Sequence, residues 1–295
     1  MTLPNFIVAG AKKAATTSLY EYLNQHPQVY MSPIKETKFF AYEPNNPDHV
    51  NADHHKFPIR TLADYTALFA AAGAARAIGE ASPIYVSSLH AVQQIAQRLP
   101  HVKLIFSLRN PIDRAYSAYV MRVRGGYEPR SVEDAFQEDL DLLKDKTYYK
   151  QLLPWYEHFD RKQIKIVLFE DIKQDSVRVT QALYDFIGVD ATFVPDTSRQ
   201  HMIGGLPKSR LRQNVINFLR RYRFLRFYLP KTVRSQFTDY ARANLTKAPE
   251  LPLEITQLLA DAYREDLPLL EQLIERDLSL WGLTSQHQSA EIAAN

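Results

Sequence analysis

The sequence lacks cysteine altogether and is poor in glycine, with 9 glycines in 295 residues. The absence of cysteine excludes disulfides, thiolate catalysis and cysteine-ligated metals. No stretch approaches eighteen uninterrupted apolar residues, and no charged leader with a cleavage site opens the chain, so we expect no transmembrane segment and a cytoplasmic location. The net charge of +3 is too small to argue for nucleic acid by itself.

Short apolar runs alternate with helical patterns along most of the chain. The runs do not alternate polar and apolar residues, which is typical of parallel strands buried on both faces. The predicted strands are FIVAG, VYMS, AIGEAS, HVKLIFSLRNP and KIVLFED. The predicted helices are Thr17 to Gln25, 61–72, 88–100, 112–124, 131–143, 148–159, 176–188, 209–227 and 253–274. We therefore predict an α/β fold with a P-loop-like central parallel sheet flanked by helices and a helical C-terminal part, as a single domain over 1–284 with a disordered tail over 285–295.

The first strand leads into the loop GAKKAATTSL, which begins at Gly10. Backbone N–H groups at the start of the following helix, with a lysine and three hydroxyls, are suited to bind phosphate. Compared with the nucleotide-binding pattern G-x-x-x-x-G-K-[ST], Ala15 replaces the second glycine and Thr16 replaces the lysine, which has moved to Lys13. The loop therefore predicts phosphate binding without metal, although a simple hydroxyl-rich helix cap would give a similar pattern.

A second candidate site follows the strongest predicted strand, in the segment LRNPIDRAYS. The strand ends in Arg109, where a metal-dependent phosphotransferase would place an aspartate for Mg²⁺. The planar fork of arginine suits a terminal phosphate, and Ser117 on the next helix offers a further donor. The alternative for this segment by itself is surface charge pairing with Asp113.

Together these segments resemble the sulfotransferases that use 3′-phosphoadenosine 5′-phosphosulfate (PAPS), in the branch that includes bacterial enzymes and heparan sulfate sulfotransferase domains. The family loop G-x-x-K-x-G-T-T-S-L corresponds to GAKKAATTSL, and L-R-N-P-x-x-R-x-x-S matches LRNPIDRAYS in full. The resemblance extends to HPQVYMSPIKETKFF, IGEASPIYVSS, VLFEDI, GGLPKSRLR and LLEQLIERDLSLW. It implies donor binding, with PAP as the product, by a set of loop and later residues: Lys13, Ala14, Ala15, Thr16, Thr17, Ser18, Arg109, Ser117, Lys208, Ser209 and Arg210.

The chain departs from the family loop at Ala15, where glycine is usual. If that position requires a positive φ, alanine costs about 1 kcal/mol and weakens donor binding.

The resemblance also implies the catalytic residues. Glu36, in the segment matching E-x-x-F-F, is the expected general base. Lys13 would stabilise the charge that grows on the bridging oxygen, and Lys38 would steady the sulfuryl oxygens. Glu80 and the pair His54/His55 are reserve candidates, with Glu80 favoured as a brace for the loop after its strand. The alternative for Glu36 is a loop acid paired with neighbouring lysines.

The segment Lys208 to Arg234 contains nine basic residues and no acid. It could line an anionic acceptor channel, lie on a membrane, or form a solvated helix. Two other functions remain open at this point: a P-loop kinase, which Mg²⁺-independent donor binding would exclude, and a non-enzymatic binder of anionic polymers or membranes. For the acceptor we expect a hydroxyl or amine of a small soluble molecule, first a secondary metabolite and second a carbohydrate or glycolipid. The loops 41–58 and 122–131 are expected to shape its pocket, and the oligomeric state is not predicted.

Overall fold

The computed structural model describes residues 2–52, 56–138, 147–198, 205–221, 240–241 and 243–283. Among these residues, seven strands are present: β1 Phe6–Gly10, β2 Val29–Met31, β3 Ala77–Ala81, β4 Lys103–Leu108, β5 Ile164–Leu168, β6 Leu206–Pro207 and β7 Leu245–Thr246.

The α-helices of the same residues are twelve: α1 Thr16–Leu23, α2 Pro47–Val50, α3 Leu62–Ala67, α4 Leu89–Arg98, α5 Pro111–Gly125, α6 Val132–Glu138, α7 Tyr148–His158, α8 Phe169–Gln174, α9 Ser176–Ile187, α10 Arg210–Arg221, α11 Leu253–Tyr263 and α12 Asp266–Ile274. No helix in the described part of the chain is long and apolar enough to cross a membrane.

The described residues divide into two compact units. The first unit contains 2–110, 147–198 and 263–283, and the second contains 111–138, 205–221, 240–241 and 243–262. The predicted boundaries of a single domain over 1–284 stay a prediction, and the predicted tail over 285–295 lies outside the described residues.

The first unit is built on a parallel five-stranded sheet with the strand order β2-β3-β1-β4-β5. Its central strand, β1, pairs Phe6 with Gly79 on one side and with Lys103 on the other. Because all five strands are parallel, the loops that follow them leave the sheet at one edge, where ligands bind in such folds. The predicted α/β class with a parallel central sheet is confirmed.

Helices cover both faces of this sheet, which explains the uninterrupted apolar strands. Successive residues of β1 enter different cores: Ile7 and Ala9 pack in one, Phe6 and Val8 in the other, and all four are fully buried. Helices α4, α7 and α12 supply buried residues to the first core, and α1 and α9 to the second. Burial of this kind contributes about 25 cal/mol per Å² of apolar surface.

The second unit combines helices with a small antiparallel pair, in which Leu206 pairs with Thr246. Its loop between α5 and α6 is held by Glu128, a carboxylate with a buried side chain. Arg130 donates to Glu128 Oε1 at 2.8 Å and to Oε2 at 2.9 Å, and Arg122 lies 3.2 Å from Oε2. The hydrogen bonds from Arg130 are the largest cause that lowers the pKa of Glu128, to about 2.

Two predicted elements contain a break or a change of structure type that their physical chemistry explains. The predicted helix over 253–274 is two helices, because Pro268 has no N–H and its ring would clash with the carbonyl four residues earlier in a continuous helix. Instead α12 begins at Asp266, which places Pro268 in its first turn. The predicted strand KIVLFED ends at Leu168, and α8 begins at Phe169 with two acidic residues in its first turn.

Candidate active site

The loop between β1 and α1 lies at the carboxyl edge of the sheet. The loop begins at Gly10, where only glycine fits, because a Cβ there would clash with the side chain of Val86. Ala15 precedes α1 in the left-handed conformation, with φ 62°, and no side chain caps the helix. Thr16 is buried, and Thr17 and Ser18 are half-buried in the first turn, which contains no acidic residue. An open helix N-terminus with three hydroxyls is suited to an anion.

This loop is anchored to β4 through Ser107, a fully buried residue that the sequence analysis did not single out. Ser107 Oγ donates a short hydrogen bond to the carbonyl of Ala14, and the N–H of Ala11 donates to Ser107 O at 2.7 Å. The N–H of Ala14 donates to Ala11 O. The backbone groups of Ala14 are therefore used inside the protein. A polar residue inside the otherwise apolar run LIFSL is the signal that could have indicated Ser107.

Glu36 lies in the loop after β2, where its N–H donates to the carbonyl of Ala81 at the end of β3 at 2.9 Å. Its carboxylate is partly exposed and pairs with two lysines: Lys35 Nζ is 3.3 Å from Oε1, and Lys38 Nζ is 3.9 Å from Oε2. Both Glu36 and Lys38 have positive φ, at 64° and 55°. Unfavourable backbone conformations of this kind persist only where surrounding contacts hold them, and they cluster at functional sites.

A third lysine that interacts with Glu36 is Lys12, which adjoins the predicted site residue Lys13. Surrounding protein atoms lower the pKa of Lys12 by desolvation; the negative charge of Glu36 opposes this effect and the positive charge of Lys38 adds to it. The side chain is nevertheless exposed to solvent. Lys13 is half-buried with φ 69°. Lys12 therefore couples the loop between β1 and α1 (the phosphate loop) electrostatically to the loop after β2 that carries Glu36 (the Glu36 loop).

Arg109 follows β4 and stacks on an aromatic ring, with its guanidinium carbon 4.5 Å from the centroid of Phe169. Its backbone N–H donates to the hydroxyl of Tyr148 at 3.1 Å, and that hydroxyl donates to Arg109 O at 3.0 Å. The next residue, Asn110, donates from its side chain to Trp281 O at 3.0 Å. These contacts fix the strand end from which the guanidinium projects. Phe169 was missed because nothing in its local sequence distinguishes it from a core residue.

The remaining predicted donor residues lie in the second unit. Ser117 is half-buried on α5. Lys208 is exposed, and its N–H donates to Asn244 O at 2.7 Å. The hydroxyl of Ser209 accepts from the N–H of Arg212 at 3.3 Å, so it caps α10. Arg210 begins that helix, and its side chain lies outside the described part of the structure. Their proposed contacts with the donor stay predictions.

The reserve candidates for the base are separated by burial. Glu80 on β3 is fully buried and accepts four hydrogen bonds from hydroxyls, so an acceptor has no access to it. His54 and His55 lie outside the described residues. Glu36, in contrast to Glu80, has a partly exposed carboxylate that an acceptor can reach.

A surface cavity of about 530 Å³ is formed by segments that continue from the Glu36 loop and from β3. Its walls combine polar and apolar side chains, among them Glu43, His49, Phe57, Ser87 and His90. The imidazole of His49 lies 4.4 Å from the ring of Phe57, centroid to centroid, and accepts from the N–H of Glu43 at 3.1 Å. This cavity therefore involves the first of the two loops predicted to shape an acceptor pocket.

The chain belongs to the sulfotransferase family, whose family model matches residues 4–193. It superposes on the crystal structure of a sulfotransferase from Alicyclobacillus acidocaldarius with a TM-score of 0.73 and 28% identity, covering 95% of this chain and 99% of that one. The predicted family, fold class and enzyme class are thereby confirmed.

Two curated relatives are larger proteins. A bifunctional heparan sulfate N-deacetylase/N-sulfotransferase 1 of Caenorhabditis briggsae is 25% identical over 62% of this chain and 22% of its own length. A mouse heparan sulfate glucosamine 3-O-sulfotransferase 3B1 is 28% identical over 63% of this chain and 46% of its own length. The chain therefore spans less than half the length of these relatives.

The sulfuryl donor that goes with this family is PAPS, and PAP remains after transfer. The described side chains fit such a polyanion: the open N-terminus of α1 carries hydroxyls, lysines flank it, and Arg109 projects from the neighbouring strand end. Among the residues that the structure describes, no cluster of histidine, aspartate or glutamate could hold a metal ion.

Proposed function

We propose that the chain transfers the sulfuryl group of PAPS to a hydroxyl or amine of a carbohydrate acceptor, with Glu36 as the general base. One observation carries this proposal. The open N-terminus of α1 and a partly exposed glutamate surrounded by lysines lie at the same edge of the sheet, coupled through Lys12. The helix N-terminus suits the anionic donor, and the glutamate suits an acceptor group that must lose its proton. Transfer between donor and acceptor requires the two features to lie side by side.

On the donor side, the first-turn N–H groups of α1 and the hydroxyls of Thr16, Thr17 and Ser18 bind the 5′-phosphosulfate. Arg109 binds the 3′-phosphate, and its stacking on Phe169 reduces the entropy lost when the guanidinium becomes ordered. Lys13 is proposed to stabilise the charge that grows on the leaving oxygen, as the sequence predicts.

The donor supplies a sulfuryl group whose bond to the 5′-phosphate oxygen breaks, with the electron pair remaining on that oxygen. Glu36 accepts the proton that the acceptor loses as the new bond to sulfur forms. Lys12, Lys35 and Lys38 hold positive potential around the reacting atoms, which favours the anionic group in transfer. By analogy with phosphoryl transfer, alignment and charge stabilisation supply most of the catalysis.

The choice of a carbohydrate acceptor is supported by the names of the relatives, which act on heparan sulfate through nitrogen and through oxygen. The polar and aromatic walls of the cavity lined by Glu43, His49 and Phe57 suit a hydroxyl-rich ligand. This reverses the order expected from the sequence, where a secondary metabolite stood first. That acceptor and the cytoplasmic location stay predictions.

The donor site is tested by calorimetric titration of PAP in the presence of EDTA. We expect micromolar binding without metal. Substituting Arg109→Lys removes the planar fork and should weaken binding by about 10- to 100-fold, since a hydrogen bond to a charged group contributes about 1.5–3 kcal/mol. The variant Arg161→Lys is the control, because Arg161 stacks on Tyr156 elsewhere on the surface. Equal affinities in all three proteins would refute the assigned site.

The reaction is tested with radiolabelled PAPS and three acceptors: de-N-sulfated heparan sulfate, fully N-sulfated heparan sulfate, and p-nitrophenol. Transfer to either polysaccharide supports the proposal and separates amine from hydroxyl, whereas transfer to the phenol alone favours a small acceptor. In Glu36→Gln we expect kcat to fall by about 100-fold or more with PAP affinity unchanged, because the base is lost and the donor site is intact. Wild-type turnover in this variant would remove Glu36 as the base.

A further inference from the structure

The carboxylate of Glu80 lies at the centre of a hydrogen-bonded cluster inside the first unit. We define this cluster as Thr37, Glu80, Ser82, Tyr65 and Tyr85; each of the five is fully buried. Oε1 of Glu80 accepts from the hydroxyls of Tyr65 at 2.7 Å and Tyr85 at 3.0 Å. Oε2 accepts from Thr37 at 2.6 Å and Ser82 at 2.8 Å. Both oxygens are therefore fully engaged.

All four hydroxyls direct their protons at Glu80, whose two oxygens act only as hydrogen-bond acceptors in this arrangement. Burial raises the pKa of Glu80, and the four hydroxyl hydrogen bonds oppose that effect. Burial also raises the pKa values of Tyr65 and Tyr85 well above their ordinary value, so both phenols remain donors. With their protons committed, the hydroxyl oxygens present lone pairs to the rest of the cluster.

Those lone pairs accept hydrogen bonds from the backbone that carries the proposed base. The N–H of Lys38 donates to Ser82 Oγ at 3.1 Å, and the N–H of Phe40 donates to the hydroxyl of Tyr85 at 3.3 Å. Thr37 itself lies between Glu36 and Lys38, which both have positive φ. The cluster thus holds the chain between the two strained positions, at the second of them, and two residues after it.

We propose that Glu80 is a positioning residue, which fixes Glu36 and Lys38 for sulfuryl transfer by orienting the hydroxyls that hold Thr37, Lys38 and Phe40. The inference rests on the proposed function in so far as Glu36 is the base. It assigns no acceptor contact to Glu80, whose burial excludes one. If position 80 could not accept all four of these hydrogen bonds, at least one hydroxyl would reverse and leave a backbone N–H without its partner, and the strained loop would relax.

The substitution Glu80→Gln keeps the shape of the side chain but replaces one accepting oxygen with an NH₂ donor. Thr37→Val removes the hydroxyl that lies between the strained residues, and Thr37→Ser retains it. For Glu80→Gln and Thr37→Val we expect kcat to fall about 10- to 100-fold, the effect of misplacing a reacting group by about 1 Å. We expect PAP affinity and the KM for PAPS to stay within about twofold, because the phosphate loop is anchored separately through Ser107. Thr37→Ser should restore turnover.

The matched control is Thr180→Val, since Thr180 is equally buried on α9 and donates to the carbonyl of Ser176 at 2.7 Å. This variant should lower the melting temperature and leave kcat unchanged when measured well below that temperature. A purely structural role for Glu80 predicts the same behaviour in Glu80→Gln and Thr37→Val, and that result would overturn the inference. So would a Thr37→Ser variant as slow as Thr37→Val.

Amide hydrogen exchange gives a readout that needs no acceptor. The amides of Lys38 and Phe40 should exchange faster in Glu80→Gln and Thr37→Val than in the wild type and Thr180→Val. Unchanged protection would refute the hydrogen-bond scheme and the inference with it. If the wild type transfers no sulfuryl group, the proposed function fails by that assay, while the exchange result decides the role of the cluster independently.

Discussion

Ala15 occupies the left-handed region at the start of α1, where a Cβ is unfavourable. Substituting Ala15→Gly should increase the free energy of unfolding by about 1 kcal/mol and tighten PAP binding, because the donor loop would hold its conformation without strain. Denaturant unfolding and calorimetric titration measure the two effects. Ala14→Gly is the control: Ala14 is buried and has no positive φ, so the added chain freedom should lower stability. Equal effects of the two substitutions would contradict this reading of Ala15.

At the residue scale, the sequence alone indicates those site residues whose structural neighbours are also close in the chain. Thr16, Thr17 and Ser18 follow a strand and start a helix, a local pattern that can be read directly. Lys12, Ser107 and Phe169 were missed because their partners are distant in sequence: Lys12 faces Glu36, Ser107 contacts the loop of Ala14, and Phe169 lies under Arg109. Such contacts exist only once the parallel strands have brought the loops to one edge.

At the scale of elements, β1 and β3 fit together through a glycine. Phe6 lies opposite Gly79, and a Cβ on Gly79 would meet the Phe6 ring, which is fully buried. Gly79→Ala should therefore lower the free energy of unfolding by about 1–3 kcal/mol, as overpacking does in other cores. Denaturant unfolding measures this change.

The double variant Phe6→Leu, Gly79→Ala separates the clash from other effects of the alanine. The smaller side chain makes room for the methyl group, so the two substitutions together should cost less than the sum of their separate costs. Strict additivity would show that the ring is not the obstacle.

The elements that the sequence predicted well are those with strong periodicity or complete burial. The five sheet strands follow from apolar runs that are buried on both faces. The break between α11 and α12 was missed, because apolar periodicity continues across it and only Pro268 marks it. The first three residues of the short helix α8 were assigned to the preceding strand, since Phe169 continues the apolar run past Leu168.

At the scale of the whole molecule, acid should lower the stability of the second unit through Glu128. The folded pKa of Glu128 is about 2, below its ordinary value of 4.5. Because that pKa is depressed by folding, the stabilisation is present above about pH 4.5 and is lost as the pH falls towards 2. The helices around Glu128 in the second unit should therefore weaken in acid.

Urea unfolding, followed by far-ultraviolet circular dichroism at about pH 6 and about pH 3, measures this effect. The substitution Glu128→Gln removes the carboxyl group that titrates. Glu128→Gln should be less stable than the wild type near pH 6, and the difference should shrink near pH 3. The control Glu138→Gln changes an exposed partner of the same Arg130 and should have little effect at either pH. A difference that does not vary with pH would contradict the role of Glu128.

Both tryptophans of the chain, Trp155 and Trp281, belong to the first unit, which contains the parallel sheet. Trp281 accepts the hydrogen bond from Asn110 next to Arg109, and its ring lies 6.1 Å from that of Tyr148, whose hydroxyl holds the backbone of Arg109. The protein thus has an intrinsic fluorophore beside the proposed phosphate contact. In a Trp155→Phe variant, emission from the single remaining indole should change on addition of PAP. Donor occupancy could then be followed optically in the unlabelled enzyme, in real time and before any acceptor is known.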